Sequence, residues 1–194
     1  TICKPLYTRK SNDKFIFGYV ARIDNDKGWD TLLLATKKLV DENIYNFKVN
    51  IIGGGSEEIK MKNMIIDLGI EDYVEYLGQK KHNELVHYYN QMDIFVFPTK
   101  LNESLGLVGL EAMACGLPVI GSNIGGLKEY IKDDYNGILF KTGDMNELAI
   151  RMKKMLEVDH DTMQRYSINA LSKALEYDTV EVNKKLKQKL EELV

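Results

Sequence analysis

The chain has 194 residues, 44% hydrophobic and 28% charged. As one domain it is large enough to bury roughly 70% of its unfolded surface without a disulfide or metal staple, which excludes disordered and fibrous classes. Lys and Arg number 26 against 29 Asp and Glu, a net charge of −3; this lacks the basic excess of a phosphate-backbone binder and speaks against nucleic acid as a partner.

The start, TICKPLYTRKSNDK, has no apolar stretch of the kind a signal peptide carries, and no run of about 18 apolar residues follows anywhere. Residues 1–14 read as a polar interdomain linker leading into a strand, as if the chain were taken from the middle of a longer protein. Cys3 lies in this irregular start and Cys115 at a helix end. Two cysteines so differently placed predict reduced thiols, no disulfide and a cytoplasmic setting.

From residue 15 onward, short runs rich in Val, Ile, Phe and Tyr alternate with helical periodicity. The runs predict strands over Phe15 to Val20, Lys48 to Ile52, Val74 to Tyr76, Ile94 to Phe97, Val119 to Gly121 and Gly137 to Phe140. Helices are expected between them at Trp29 to Val40, Glu57 to Leu68, Asn83 to Asn90, Leu105 to Ala114, Leu127 to Ile131 and Met145 to Leu156. Strict alternation of this kind predicts an α/β fold, a parallel sheet with helices on both faces. After residue 157 two more helices are expected, Thr162 to Leu175 and Thr179 to Val194. In the second, Val182, Leu186 and Leu190 recur every four positions, so 178–194 reads as an amphipathic C-terminal helix beside a main domain at 15–177.

Parallel sheets of this kind bind ligands outside the carboxyl ends of their strands. The loop after the first strand, Ala21 to Gly28, places Arg22 and Lys27 before a helix start and can form an anion site; a solvated turn is the alternative. Within it, Asp24-Asn25-Asp26 has the DxD form that can hold a metal with a nucleotide, but the triplet is common by chance and recurs at Asp159-His160-Asp161. No metal is expected. After the second strand, Gly53-Gly54-Gly55-Ser56 allows either close approach of backbone to a ligand or a tight turn. Glu58 stands where a dinucleotide fingerprint needs its last glycine.

The stretch Asn102 to Gly116, NESLGLVGLEAMACG, carries two carboxylates. With a helix from Leu105, the residues Leu107, Leu110, Glu111 and Ala114 share one apolar stripe, so Glu111 points where its neighbours are buried and needs a partner: a protein cation or ligand hydroxyls. Glu103 lies at the mouth of the same helix, within about 12 Å along its axis. Between them, the N–H groups of Ser104, Leu105, Gly106 and Leu107 lead the helix and can receive phosphate. Carboxylate, amide cradle and carboxylate have the order of sugar, diphosphate and ribose in a nucleotide sugar.

The stretch resembles the E-x(7)-E signature of the retaining glycosyltransferases of family 4 (glycosyl transferases group 1). The likeness runs from Tyr19 to about Tyr177 and takes in Gly28, Ile52 to Gly55, Tyr76-Leu77-Gly78, Asp93 to Pro98, Ala112 to Val119, Gly125-Gly126 and Asn136-Gly137. It implies the C-terminal, donor-binding, Rossmann-like domain of a GT-B fold. The implied reaction transfers a sugar from a UDP- or GDP-sugar to an acceptor hydroxyl in glycan or glycolipid synthesis. Arg22 and Lys27 would neutralise the leaving diphosphate, Glu103 would contact the donor sugar and Glu111 the ribose, with Gly78 and Gln79 near the base. No cofactor or metal is called for. The acceptor belongs to a missing N-terminal domain, which also leaves room for peripheral membrane contact. Ser104 and Leu105 replace the family's usual glycine and phenylalanine, so the sugar cannot be read off.

Two rivals stand beside this reading. A nucleotide-sugar epimerase shares the fold and would give a sugar product without an acceptor. A non-catalytic nucleotide-binding module would not call for Glu103. His82, His87 and His160 lack metal-ligand spacing and read as surface residues; Trp29 reads as packing its helix on the sheet.

Overall fold

The computed structural model describes residues 14–177. Six strands form one parallel sheet: β1 (Phe15–Val20), β2 (Phe47–Ile52), β3 (Val74–Gly78), β4 (Ile94–Phe97), β5 (Val119–Ser122) and β6 (Gly137–Phe140). Their order across the sheet is β3-β2-β1-β4-β5-β6, with Phe17 of β1 opposite both Val49 of β2 and Ile94 of β4. The strands are almost continuously apolar because both faces are covered, which removes any need for polar alternation.

The helices are α1 (Trp29–Asp41), α2 (Glu58–Asp67), α3 (His82–Tyr89), α4 (Leu107–Ala114), α5 (Leu127–Tyr130), α6 (Met145–Leu156) and α7 (His160–Leu175). On one face, Trp29, Leu32 and Leu33 of α1, Met61 of α2 and Leu148 and Met152 of α6 close over Phe17, Val49 and Val96. On the other, Tyr89 of α3, Leu110 and Met113 of α4 and Ala170 and Ala174 of α7 close over Val20, Phe95 and Val119. Each face therefore has its own apolar core, and Trp29 does pack its helix on the sheet. Among the described residues no helix is long and apolar enough to cross a membrane.

Several boundaries depart from the sequence expectations, each for a local reason. β3 runs on to Gly78, so this residue ends a strand and does not sit in the following loop. α7 starts at His160 because Asp159 caps it, its carboxylate accepting from Thr162 N at 2.8 Å; Asp159-His160-Asp161 is a helix start, not a polar loop. α4 starts at Leu107, two residues later than expected, because Gly106 at its N-cap is left-handed (φ 70°). The reduced-thiol expectation also needs correction: Cys115 is buried at the end of α4 and disulfide-bonded. Separation along the chain says nothing about separation in space. Cys3 and the predicted helix at 178–194 lie outside the described residues.

Candidate functional site

The strand order reverses between β1 and β4, the switch point where open α/β sheets leave a crevice. The loop after β1 and the loop after β4 face each other there. Close backbone packing ties them together. Gly28 has φ 74°, and a Cβ on it would lie 1.8 Å from the Pro98 carbonyl oxygen, so no larger residue fits. Lys100 N donates to the Asp26 carbonyl at 2.8 Å, and Lys100 Nζ pairs with Asp30 at 2.6 Å. Beneath the β1 loop, the buried Tyr19 hydroxyl donates to the carbonyls of Lys27 and Arg22 at 3.3 and 3.4 Å. Burial, and then the nearby Asp30, raises its pKa well above the usual tyrosine value.

Across this junction Lys27 Nζ meets Glu103 Oε1 at 2.7 Å, with the two side chains only 15% and 21% exposed. The fully buried Thr99 places its hydroxyl 3.4 Å from the same oxygen and accepts from Leu101 N at 3.2 Å, which fixes the turn that presents Glu103. From the third side Gly126 N donates to the Glu103 carbonyl at 2.9 Å. Arg22 is different: its side chain is 72% exposed and pairs with Asp24 at 3.1 Å. Asp24 is further held by the Ser56 N–H and hydroxyl at 3.1 and 2.9 Å, and these bonds keep its pKa below the ordinary value. Asp24 of the DxD triplet is thus engaged by Arg22 and by the loop after β2, Asp26 Oδ1 is buried without a hydrogen-bond partner, and no cluster of three metal-ligating side chains occurs among the described residues.

A cleft of about 580 Å³ opens at this point, walled by Arg22, Lys27, Glu103 and the segment from Ser104 to Val108. Because α4 begins at Leu107, the N–H groups at its head are those of Gly106, Leu107 and Val108, with Ser104 and Leu105 in the preceding loop. Val108 was not singled out by spacing. The Tyr130 hydroxyl donates to the Gly106 carbonyl at 3.3 Å, holding the helix start in place. Burial, and then Glu103, raises the Tyr130 pKa.

Glu111 lies apart from that cleft, and the stripe expected to bury it is not buried. Leu107 is 65% exposed and Ala114 is exposed, whereas Gly109, Leu110, Ala112 and Met113 form the inner face. Glu111 itself is 34% exposed at the side chain and turns toward α3, where it stands 3.4 Å from the buried Tyr89 hydroxyl and 3.9 Å from His82 Nδ1. The predicted stripe lies wholly within the observed helix, but the face turned inward is that of Gly109, Leu110, Ala112 and Met113, so the argument from periodicity fails while the carboxylate remains available to a ligand.

Gly53, Gly54, Gly78 and Gln79 come together at the carboxyl ends of β2 and β3. Gly53 N donates to the Gly78 carbonyl at 3.0 Å, and a Cβ on Gly54 would lie 3.3 Å from Gln79 Oε1. Gly53 is required by protein rather than by ligand: a Cβ there would lie 1.8 Å from the Ala21 carbonyl oxygen. Of the sequence candidates, the structure gathers Arg22, Lys27, Glu103 and Ser104 to Leu107 in one cleft. Thr99, Tyr130 and Gly126, which brace that cleft, gave no signal in linear spacing beyond the Gly125-Gly126 pair.

The profile of the family described as glycosyl transferases group 1 matches residues 7–173. The chain belongs to this family. Among similar group 1 proteins is the capsular polysaccharide biosynthesis glycosyltransferase CapM of Staphylococcus aureus, 33% identical over 157 residues, covering 77% of this chain and 39% of CapM. A D-inositol 3-phosphate glycosyltransferase of Saccharomonospora viridis is also 33% identical, over 71% of this chain and 33% of that protein. The chain therefore spans little more than a third of the length of these curated relatives. Among solved structures, Anabaena HepE in complex with UDP and glucose superposes with a TM-score of 0.80 at 25% identity, covering 92% of this chain and 48% of HepE. The C-terminal domain of a group 1 glycosyl transferase, LpcC of Francisella tularensis, shares the fold (TM-score 0.76, 22% identity) over 86% of this chain and 88% of that domain. The sheet is accordingly the Rossmann-like domain of a GT-B glycosyltransferase.

Proposed function

We propose that this chain is the donor-binding, C-terminal half of a retaining glycosyltransferase of family 4, moving a hexosyl group from a UDP- or GDP-sugar to an acceptor hydroxyl in glycan or glycolipid synthesis. The observation that carries the reading is the Lys27–Glu103 pair spanning the switch-point cleft at the head of α4. Lys27, the exposed guanidinium of Arg22 and the N–H groups of Gly106, Leu107 and Val108 offer a diphosphate cations and oriented dipoles in one place. Their counter-charge would stabilise the nucleotide diphosphate as it leaves, a task that calls for no metal here. Glu103 faces the sugar end. Glu111, beside Tyr89, faces the ribose, and the Gly78-Gln79 edge faces the base. The UDP and glucose held by HepE support a nucleotide-sugar ligand, and the share of the relatives left uncovered supports a second, N-terminal domain that presents the acceptor. Retention comes with the family-4 reading.

Calorimetric titration with a panel of UDP- and GDP-sugars and the matching nucleosides tests this. Binding should require the diphosphate and differ between the two bases. A chain that binds no member of the panel, or binds nucleoside as well as nucleoside diphosphate, is not the donor half.

A further inference from the structure

We propose that Glu103 is an internal competitor of the donor's diphosphate, and that its exchange between Lys27 and the sugar sets a preference for sugar-bearing over sugar-free nucleotide. The inference rests on the donor-site reading above and deepens it by assigning that discrimination to one ion pair. Glu103 Oε1 lies 2.7 Å from Lys27 Nζ, and both side chains are largely withdrawn from water, at 21% and 15% exposed. Of the other acids in these loops, Asp24 is engaged with Arg22 and Ser56 and Asp30 with Lys100, and no ion pair joins Asp26 to Lys27 among the described residues. Glu103 is therefore the anion with which a diphosphate competes for Lys27.

Displacement has a different cost for the two kinds of ligand. Gly126 N fixes the Glu103 backbone through its carbonyl at 2.9 Å, and Thr99 stands 3.4 Å from its carboxylate. Released from Lys27 by a sugar-free nucleotide, that carboxylate faces new phosphate charge across the cleft with the long contact to the Thr99 hydroxyl in place of the ammonium. Carboxylates so placed are penalised by like charge and by lost hydrogen bonds. A sugar attached to the distal phosphate brings hydroxyls that can donate to the freed carboxylate. After transfer the sugar has gone, and return of Glu103 to Lys27 favours departure of the product nucleotide.

The test is calorimetric titration of this chain with UDP, UDP-glucose, GDP and GDP-mannose, using wild type, Glu103→Gln, Lys27→Ala and the double variant. Glu103→Gln keeps size and removes charge, so it should bind the preferred sugar-free diphosphate about tenfold more tightly, the order of one charge-assisted hydrogen bond. Its gain for the sugar-bearing ligand should be smaller, and the preference should narrow. Without Lys27 the gain should shrink to what removing a like charge alone gives. Unchanged or weaker diphosphate binding in Glu103→Gln overturns the proposal, as does a gain that is as large in the absence of Lys27 as in its presence. Lys27→Ala alone separates the two readings. If it binds diphosphate like wild type, the donor-site reading falls with the exchange; if it loses diphosphate while Glu103→Gln gains nothing, the exchange alone falls. In the unmutated chain, the Glu103 carboxyl ¹³C resonance should shift when the preferred nucleotide binds, and a resonance that stays in place at saturation overturns the exchange whatever the variants do.

Discussion

Lys27 and Arg22 both carry positive charge to the cleft, yet their surroundings differ, and so should the effects of removing them. Lys27→Ala deletes a cation and leaves the half-enclosed Glu103 carboxylate facing the diphosphate, whereas Arg22 is a mostly exposed side chain held only by Asp24. Both substitutions are expected to weaken nucleoside-diphosphate binding by about 1.5 to 3 kcal/mol, the range for hydrogen bonds to charged groups, with Lys27 at the upper end. Nucleoside binding should hold, and equal losses for nucleoside and diphosphate in calorimetry would assign both residues to shaping the domain. For Glu111 the structure reverses the inference from periodicity, by which Leu would complete an apolar stripe at no cost. Its neighbour is the buried Tyr89 hydroxyl, 3.4 Å away, whose pKa burial and then Glu111 push upward. Glu111→Leu is therefore expected to lower stability by about 1 kcal/mol by stranding that hydroxyl, and Tyr89→Phe should recover most of the loss. Urea denaturation of the four members of the cycle decides it, and additive effects would show that the two groups are not coupled.

At the level of elements, the six strands were legible because parallel strands buried on both faces read as short apolar runs; β1, β4 and β6 match their predicted bounds residue for residue. The helix that matters most for the site was misplaced by two residues. Leu107, Leu110 and Ala114 fit a helical period, but Gly106 before them takes the left-handed conformation open to glycine, in a place where Phe97 and Leu127 leave no room for a Cβ. Arg22, Lys27 and Glu103 could be named from residue type and loop position; their meeting across the β1 and β4 loops could not, because it depends on a contact between segments some seventy residues apart. That contact rests on Gly28, where the chain is left-handed and presses on Pro98. Gly28→Ala is expected to cost about 3 kcal/mol or more, since the added carbon meets backbone that cannot yield. Denaturant melts measure the loss, and a variant as stable as wild type would mean that the two loops are not held together there.

Over the whole molecule, several carboxylates are titrated downward by folding. Lys154 lowers Asp134, the Thr162 N–H lowers Asp159, the Lys141 N–H lowers Glu147 and the Ser56 N–H lowers Asp24. The unfolded chain takes up these protons first on acidification, so their stabilising effect is complete above about pH 5 and drains away as the pH falls through about 4. Thermal midpoints should be level between those of neutral and mildly acidic solution and fall below about pH 4; a flat profile to pH 2 would mean that these contacts do not persist in solution. The last expectation concerns chemistry. Both faces of the sheet are covered by helices and the cleft is lined on one side by the β1 loop and α4, so the chain should fold and bind a nucleotide sugar weakly, with part of the ligand left in water. Transfer requires an acceptor hydroxyl held against the anomeric carbon, and such positioning supplies a large share of a catalysed rate. Nothing among the described residues forms an opposing wall that could hold the acceptor. Incubation with the best-binding donor and a broad acceptor mixture, followed by mass spectrometry, should therefore detect no glycosylated product. Turnover of about 1 s⁻¹ or more, an ordinary enzymatic rate, would show instead that this domain recruits its acceptor unaided and that the proposed division of labour between two domains is wrong.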